Sequence, residues 1–324
     1  MQKFPPLEDI TIQFAHSAYD FVDEFADRQT GIRHFQTFTR EDTVARMGDT
    51  DVLVLSGFWK NSWLEQNNRL RYVQAISAGY DYFDTMGLKD RSIVLCNAGG
   101  VNSNAVSEHA FALLLGLTRR LHIARDDQNK RYWRGMGKAM SAREDELPGK
   151  TMLIIGLGYI GSRTAQLARA FGMKTIGIKR NTKGFENLVD EIYPTAELHQ
   201  HLPRADVVVL TCPLTAETTK LIDAAAFNVM KPNAYLINVA RGRCVDQAAM
   251  VTALEEKRLA GAGIDTFEIE PLPEASPLWK FENVIITSHT GGETRAYEKN
   301  IIDQLLENLN RLVQGNDTLI NRIV

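Results

Sequence analysis

The chain is poor in cysteine and has no long apolar run. Its 324 residues include three cysteines, Cys96, Cys212 and Cys244, and no two of them stand in a Cys-x-x-Cys spacing. This scarcity argues against a disulfide framework or a cysteine zinc site, and it favours buried thiols in a reducing compartment. The most apolar stretch, residues 110–117, is far too short to cross a bilayer.

An excess of one charge is also missing. The formal net charge is −3, which offers no general reason to expect nucleic acid or an anionic membrane as partner. The first residues lack the apolar segment of a signal peptide, so the expected location is the cytoplasm. The length allows two domains, each with its own core.

Short apolar runs alternate with helical patterns along the first hundred residues. The candidate strands are 10–15, 31–36, 51–55, 71–75 and 92–96. The candidate helices are 17–28, with Ser17 as N-cap, and 41–47. This alternation predicts a parallel α/β sheet.

A long helix over residues 104–121 is predicted next, capped by Asn102 or Ser103. The segment 122–149 is charged and aromatic, and it is expected to be an arm that packs on another subunit. A second alternation then begins, with strands at 151–156, 174–178, 206–211, 234–239, 260–265 and 284–288. Asp246 is expected to cap a helix, and an amphipathic helix over about 293–313 ends the chain.

A glycine-rich turn follows the strand at 151–156. Gly156 permits a tight turn, Gly158 lets the backbone approach a pyrophosphate, and Gly161 allows the next helix to pack on the strand. The N–H groups at the start of that helix would hold the pyrophosphate. The pattern predicts a dinucleotide site.

The strand that follows this helix ends with Lys179, Arg180 and Asn181 instead of an acidic residue. Asp or Glu at this point binds the adenosine ribose of NAD, whereas cations suit the 2′-phosphate of NADP. We therefore expect a preference for NADP(H), with NAD(H) as a possible cofactor. The alternative interpretation is a solvated basic turn.

Three polar residues stand just after predicted strands: Arg241, Glu270 and His289. Loops that follow the carboxyl ends of parallel strands line the ligand crevice of such a sheet. A guanidinium, a carboxylate and an imidazole are therefore expected to converge on one ligand. Taken singly, each residue is also explained as a surface charge or a structural side chain, and Glu268 competes with Glu270.

Six segments in order resemble the D-isomer-specific 2-hydroxyacid dehydrogenases. They are Ser77-Ala-Gly-Tyr-Asp81, Ala105-Val-Ser-Glu-His109, 156–161, Ile237-Asn-Val-Ala-Arg-Gly242, 263–271 and Ser288-His-Thr-Gly-Gly292. The glyoxylate/hydroxypyruvate reductases look like the nearest branch. The resemblance implies two Rossmann-like, doubly wound parallel-sheet domains: a coenzyme domain at 103–289, inserted in a discontinuous substrate domain at 1–102 and 290–324, with the active site in the cleft.

The resemblance also implies a role for each polar residue. Arg241 would hold the substrate carboxylate and 2-oxygen, His289 would donate a proton to the carbonyl oxygen, and Glu270 would orient the imidazole. Asp265 would reach the nicotinamide carboxamide, or else cap a turn. His109 matches a helix position at which packing is the better explanation.

Further candidates complete the two binding sites. The other cofactor-binding candidates are Leu157, Tyr159, Ile160, Cys212, Pro213, Thr218, Val239, Ala240 and Gly291. The substrate-binding candidates are Phe58, Ser77, Ala78, Gly79 and Tyr80. Trp59 is a further candidate for the pocket wall, and Trp279 and Tyr297 are weaker ones. Each of these aromatic residues is equally well explained as part of the core. No metal is expected, because Arg241 and His289 supply the charge that a metal would offer.

The implied reaction is the reversible, NAD(P)H-dependent reduction of a small 2-keto acid to the D-2-hydroxy acid, in a homodimer without nucleic-acid or membrane partner. The identity of the acid stays open. Phosphite oxidation on the same fold is an alternative, whereas formate oxidation is disfavoured because those relatives pair their histidine with glutamine. A nucleotide-sensing scaffold like the C-terminal binding protein corepressors is the other alternative.

Overall fold

The chain leaves its first unit at Asn102 and returns to it at Thr294. A computed structural model describes residues 4–65, 69–80, 82–140 and 143–324. Unit 1 comprises the residues up to Asn102 together with Thr294–Val324, and unit 2 is Ser103–Glu293. The sequence predicts the second boundary after residue 289, whereas in the structure the loop that contains Gly291 belongs to unit 2.

Unit 1 contains a five-stranded parallel sheet in the order β2-β1-β3-β4-β5. Its strands are β1 (Thr11–Ala15), β2 (Arg33–Thr37), β3 (Val52–Leu55), β4 (Tyr72–Ala75) and β5 (Val94–Cys96). Its first helices are α1 (Val22–Ala26), α2 (Arg40–Ala45) and α3 (Thr85–Asp90). β3 and β4 are buried along their whole length, as the helical cover on both faces of a parallel sheet requires.

The predicted helix over 17–28 is mostly wrong, because α1 begins only at Val22 and Phe21 precedes it. The backbone before α1 forms its hydrogen bonds with side chains. His16 Nδ1 accepts from the N–H of Tyr19, and Gln36 Oε1 accepts from the N–H of Phe21. These side-chain acceptors compete with helical bonding, so Ser17 caps nothing.

Unit 2 contains a seven-stranded parallel sheet in the order β12-β11-β10-β9-β6-β7-β8. Its helices are α4 (Ser103–Thr118), α5 (Leu121–Asn129), α6 (Tyr159–Ala170), α7 (Leu198–His201), α8 (Ala224–Val229) and α9 (Gln247–Glu255). Its strands are β6 (Thr151–Ile155), β7 (Lys174–Ile178), β8 (Glu191–Tyr193), β9 (Val207–Leu210), β10 (Tyr235–Asn238), β11 (Gly261–Ile264) and β12 (Val284–Ile286). The strand order reverses between β6 and β9, and such a switch point is where dinucleotides bind. The two parallel sheets confirm the predicted fold class.

The helix predicted over 104–121 is α4, which begins at Ser103 and ends at Thr118, three residues before the predicted end. Arg120 has a left-handed backbone conformation, with φ of 53°, and it separates α4 from α5. The segment 122–149 therefore starts as a helix, and its described residues after Asn129 form no further α-helix or strand. Residues 141–142 of this segment lie outside the described part of the chain. Asp246 caps α9 as predicted, because its carboxylate accepts the N–H of Ala249.

The last helix, α10 (Tyr297–Val313), belongs to unit 1 and starts later than the predicted 293. Its buried stripe of Ile301, Ile302, Leu305 and Leu309 packs into the core formed by β1, β3 and β4. The stripe has the spacing of one helical face. No helix in the described ranges combines the length and the apolar character that a membrane span needs.

Candidate active site

The loops that carry Arg241, Glu270 and His289 follow three neighbouring strands. Arg241 comes after β10, Glu270 after β11 and His289 after β12, and these strands lie side by side at one end of the unit 2 sheet. All of them are parallel, so their carboxyl ends share one edge. The topology thus brings the three loops to the same edge.

Glu270 and His289 are in direct contact. Glu270 Oε2 lies 2.8 Å from His289 Nδ1, and Glu270 Oε1 accepts the backbone N–H of Phe267 at 2.9 Å. Since a carboxylate only accepts, Nδ1 carries the proton of this bond, and Nε2 is the ring nitrogen that remains for proton transfer. The side chains are 38% and 48% exposed, so a ligand can reach them.

The competing carboxylate, Glu268, has a different function. Its Oε1 accepts the backbone N–H of Gln247 at the first turn of α9, at 3.3 Å. An acidic side chain at a helix N-terminus is favoured by the helix dipole. The geometry therefore pairs Glu270 with the histidine and assigns Glu268 to the helix.

The backbone of His289 is left-handed, with φ of 56°, which is unusual for a residue with a side chain. Asp265 holds the loop on both sides of it. Asp265 Oδ1 accepts the Thr287 hydroxyl at 2.6 Å and the Thr290 N–H at 3.0 Å, and Oδ2 accepts the Gly291 N–H at 3.1 Å. One carboxylate thus fixes the conformation that the histidine loop needs.

Asp265 is 2% exposed, and burial alone would raise the pKa of its carboxyl. The His109 ring, whose Nε2 lies 3.5 Å from Oδ1, and hydrogen bonds from Thr287 and the Gly291 N–H outweigh burial and lower the pKa to about 2. The His109 ring has polar partners: its Nε2 lies 2.9 Å from Thr287 Oγ1 and 3.5 Å from Asp265 Oδ1. The prediction that packing explains His109 is therefore incomplete.

Arg241 is exposed, and its Nη1 donates to the carbonyl of Ala240 at 2.8 Å. Asn238, which is buried at the end of β10, holds the turn: its Nδ2 donates to the Arg241 carbonyl and its Oδ1 accepts the Ala240 N–H, both at 3.1 Å. Sequence reasoning missed Asn238. The available signal was a polar amide at the end of an apolar strand.

The Arg241 loop also touches the loop that carries Glu270. A Cβ added at Gly242 would lie 1.9 Å from the carbonyl carbon of Phe267, so only glycine allows this approach. Phe267 is the residue whose N–H binds Glu270. The backbone contact links the position of the guanidinium loop to that of the acidic loop.

The glycine turn fits a dinucleotide. Gly156 has φ of 97°, and a Cβ there would lie 2.7 Å from Cys212 Cα, whereas a Cβ at Gly158 would meet open space. Gly158 precedes α6 without any side-chain cap. Open space in front of an uncapped helix N-terminus suits a phosphate group. Leu157 is fully buried, so only its backbone can face a cofactor.

The turn after β7 separates its two cations. Lys179 Nζ lies 4.2 Å from the centre of the Phe185 ring, and its pKa is lowered by burial and by Arg180. Arg180 is 79% exposed, and its Nη1 lies 3.7 Å from a carboxylate oxygen of Glu217. The Asn181 side chain accepts the N–H of Lys183 within the turn. Arg180 is therefore the cation best placed to meet a ligand.

The loop after β9 is closed by Thr218, whose hydroxyl donates to the Pro213 carbonyl at 2.7 Å. Pro213 is exposed and Cys212 is buried. The side chains of Val239 and Ala240 are also buried, so they can contribute backbone atoms or an apolar wall. Tyr159 is 60% exposed, Ile160 is half-buried and Gly291 is buried. All three cysteines are free and buried, as predicted.

In unit 1, the predicted substrate loop is held by side chains. Ser77 Oγ donates to the Gly79 carbonyl, and Asn97 Nδ2 donates to the Ala78 carbonyl, both at 2.7 Å. Because the peptide bond is trans, the N–H groups of Gly79 and Tyr80 point away from these contacts. Tyr80 is 40% exposed. Asp81, the last residue of this motif, lies outside the described residues.

The aromatic residues predicted to shape the substrate pocket differ in burial. Trp59 is 6% exposed and packs with Trp63 and Phe83, which is the core position that the sequence left open beside a place in the pocket wall. Phe58 is half-buried beside the same core. Trp279 is 53% exposed and donates to the Pro273 carbonyl. Tyr297 OH donates to the Ile76 carbonyl within unit 1.

Among the described residues, no group of three or more His, Cys, Asp or Glu side chains is arranged to hold a metal ion.

Similarity to known proteins identifies the family. The model of the NAD binding domain of D-isomer specific 2-hydroxyacid dehydrogenases matches residues 111–291. The glyoxylate reductase of Pyrococcus furiosus is 36% identical over 296 residues, which cover 88% of this chain and 86% of that protein. The glyoxylate reductase of Thermococcus gammatolerans is 35% identical over 294 residues, covering 88% and 87%.

A solved structure shows the same relationship. A D-isomer specific 2-hydroxyacid dehydrogenase family protein from Aeromonas salmonicida is 30% identical, with a TM-score of 0.84 over 97% of this chain and 99% of that one. An acyclic imino acid reductase, solved with NADPH and D-Arg, is 25% identical with a TM-score of 0.81, covering 97% and 100%. This chain belongs to the family of D-isomer specific 2-hydroxyacid dehydrogenases, oxidoreductases with a nicotinamide-binding domain.

Proposed function

We propose that the protein catalyses the reversible, NAD(P)H-dependent reduction of a small 2-keto acid, such as glyoxylate or hydroxypyruvate, to the 2-hydroxy acid of D configuration. The observation that carries this proposal is the hydrogen bond between Glu270 and His289, on loops beside the one that bears Arg241. Relatives named glyoxylate reductase, at 36% and 35% identity, support this choice of acid.

The proton in this reaction comes from His289. A reduced nicotinamide cofactor, held at the glycine turn of residues 156–161, would supply the hydride for C2 of the keto acid. His289 Nε2–H then donates its proton to the carbonyl oxygen, so that the C=O becomes CH–OH. Glu270 accepts the hydrogen bond from Nδ1–H throughout and holds the ring in orientation for the transfer. The reverse sequence oxidises the hydroxy acid.

Arg241 binds the acid. Its guanidinium has donors besides the one on the Ala240 carbonyl, and a charge-assisted hydrogen bond to a carboxylate contributes about 1.5–3 kcal/mol. Asn238 and the contact at Gly242 hold the loop in place, so the guanidinium loses little freedom on binding.

The cofactor proposed is NADP(H), with weaker use of NAD(H). Arg180 is the supporting residue: it is exposed at the end of β7, where NAD-specific sites carry an acid, and its partner Glu217 is only a distant, exposed carboxylate. A ribose 2′-phosphate presents more charge than Glu217 and would displace it from the guanidinium.

A homodimer is proposed through the segment after α5. Trp133, Met136 and Met140 are 95%, 100% and 82% exposed. Large apolar side chains exposed together mark interaction surfaces. Light scattering on the purified protein tests this proposal, and a monomeric mass at micromolar concentration would refute it.

The three free, buried thiols support the proposed location in the reducing cytoplasm.

The test of function is a spectrophotometric screen. Glyoxylate, hydroxypyruvate, pyruvate and phenylpyruvate are each mixed with enzyme and either NADPH or NADH, and the hydroxy acid formed is resolved on a chiral column. We expect fastest turnover with glyoxylate or hydroxypyruvate, better rates with NADPH, and D-glycerate from hydroxypyruvate. Cofactor binding without turnover of any keto acid would refute the proposal and favour a nucleotide-sensing scaffold. Phosphite is tested separately with NADP⁺ or NAD⁺, because its oxidation needs the oxidised cofactor as hydride acceptor.

A further inference from the structure

His109 lies on α4, away from the three loops in sequence, yet it touches the network that holds His289. Its side chain is 21% exposed, and Nε2 lies 2.9 Å from Thr287 Oγ1 and 3.5 Å from Asp265 Oδ1. We propose that His109 is a positioning residue for the proposed reaction, which acts on His289 through Thr287 and Asp265. The inference rests on the proposed function.

The direction of the hydrogen bonds follows from chemistry. Thr287 has one hydroxyl proton, which it donates to Asp265 Oδ1 at 2.6 Å. Thr287 Oγ1 must then accept from His109, so the proton of the imidazole sits on Nε2. The chain runs from His109 through Thr287 to Asp265, and each group has the donor or acceptor that it requires.

This series of hydrogen bonds ends on the backbone around His289. Asp265 Oδ1 binds the Thr287 side chain and the Thr290 N–H, which lie on either side of His289. The left-handed conformation of His289 costs free energy, so it persists only where its neighbours are held. Without the His109 bond, Thr287 is freer to rotate, and Asp265 loses a nearby donor.

The His109 ring also packs against the loop. A Cβ at Gly291 would lie 3.0 Å from His109 Cδ2 and 2.8 Å from Asp265 Oδ2. Gly291 therefore lies between the ring and the carboxylate, with room for no larger residue. The ring thus supports the loop by contact as well as by its hydrogen bond.

The test uses substitutions that separate shape from hydrogen bonding. His109→Leu keeps an apolar body and removes the donor, whereas His109→Gln keeps an N–H donor near the position of Nε2. We expect His109→Leu to lower kcat for keto-acid reduction about 10- to 100-fold, as small misplacements of reacting groups do, with KM for NADPH within about twofold. His109→Gln should recover most of kcat. His199→Leu, the same change at an exposed histidine of α7, is the matched control and should leave kcat unchanged.

A second variant covers the case in which His109→Leu does not fold. Thr287→Val removes the middle of the chain, and we expect a similar loss of kcat. In the double variant the two losses should not multiply, because either change alone breaks the same connection. Thermal unfolding and NADPH binding by fluorescence are measured for every variant.

The outcomes are distinct. Wild-type kcat in both His109→Leu and Thr287→Val, or an equal loss in His109→Leu and His109→Gln, would overturn the positioning role while leaving the proposed function standing. An unaltered enzyme that reduces no keto acid would overturn the proposed function and this inference together. Multiplying losses in the double variant would also count against the chain of bonds.

Discussion

Glu270 Oε2 lies 2.8 Å from His289 Nδ1, and the other oxygen of the same carboxylate is held by the N–H of Phe267. Phe267 thus orients the Glu270 carboxylate, and the carboxylate places its negative charge beside the His289 ring. Glu270→Gln keeps the shape but removes the negative charge. We expect kcat for keto-acid reduction to fall about 10²-fold, because the imidazole loses the carboxylate that orients it and balances its charge. Steady-state rates of the two proteins check this, and an unchanged kcat would count against the pairing.

His289 itself is expected to be indispensable to proton transfer. His289→Ala removes the proton donor, and positioned acid–base groups contribute about 10²- to 10⁴-fold to rates. We expect kcat to fall by that amount while the dissociation constant for NADPH changes little. His199→Ala, at an exposed position, serves as control. Lost NADPH binding in His289→Ala would mean that the residue serves the cofactor instead of the acid.

Arg180 is expected to decide between the two nicotinamides. Arg180→Ser removes the exposed guanidinium at the end of β7. If it binds a 2′-phosphate with about 1.5–3 kcal/mol, kcat/KM for NADPH should fall roughly tenfold to a hundredfold. The value for NADH should change little, since NADH has no such phosphate. An equal loss with both cofactors would show that Arg180 supports the turn only.

Much of the fold was predictable because its strands are short apolar runs set between helical patterns. β3, β6 and β9 are almost wholly apolar and buried, which is the pattern of central parallel strands. β8 escaped prediction because Glu191-Ile-Tyr193 is only partly buried and too short to show a period. The helix over 17–28 was wrong because side chains distant in sequence, such as Gln36, take its N–H groups.

Prediction of the site from the sequence meets the same limit. The loops that bear Arg241, Glu270 and His289 were predictable because each follows a recognisable strand. Asn238 and His109 were not, because their partners are defined only when β10 and α4 pack in the folded unit. Residues that touch a ligand leave motifs in sequence, whereas residues that hold those motifs depend on tertiary neighbours.

Thr266 offers a test of the packing beside Asp265. It is 2% exposed, and among the described residues its buried hydroxyl has no hydrogen-bond partner. A buried unsatisfied hydroxyl costs about 1–3 kcal/mol, so Thr266→Val, which is nearly the same shape, should raise the free energy of unfolding by about 1 kcal/mol. Urea unfolding measures this change in the free energy of unfolding. Thr175→Val, in β7 of the same unit, is the matched control: the Thr175 hydroxyl donates to Asp190 at 2.8 Å, so we expect that variant to lose stability. A destabilised Thr266→Val would mean that the Thr266 hydroxyl makes a stabilising interaction in the protein.

Asp265 links stability to pH. Its pKa in the folded protein is lowered from 3.8 to about 2, because the nearby His109 ring and the hydrogen bonds from Thr287 and Gly291 outweigh the opposing effect of burial. A group whose folded pKa is depressed contributes stability that is complete above its unfolded pKa and is lost as pH falls through the folded value. The window is therefore about pH 4 down to pH 2, and the contribution is about 2 kcal/mol.

The prediction is measured against Asp265→Asn, which cannot ionise. We expect the wild type to exceed the variant in free energy of unfolding by a constant amount from neutral pH to about pH 5, and the difference to shrink below about pH 4. Other carboxylates, such as Glu191 with a pKa of about 2, titrate in the same range, but they do so in both proteins and cancel in the difference. Urea unfolding at closely spaced pH values gives that difference. If it stays constant down to the lowest pH at which both proteins fold, Asp265 is not held as a carboxylate by its donors, and the support of His289 must come from elsewhere.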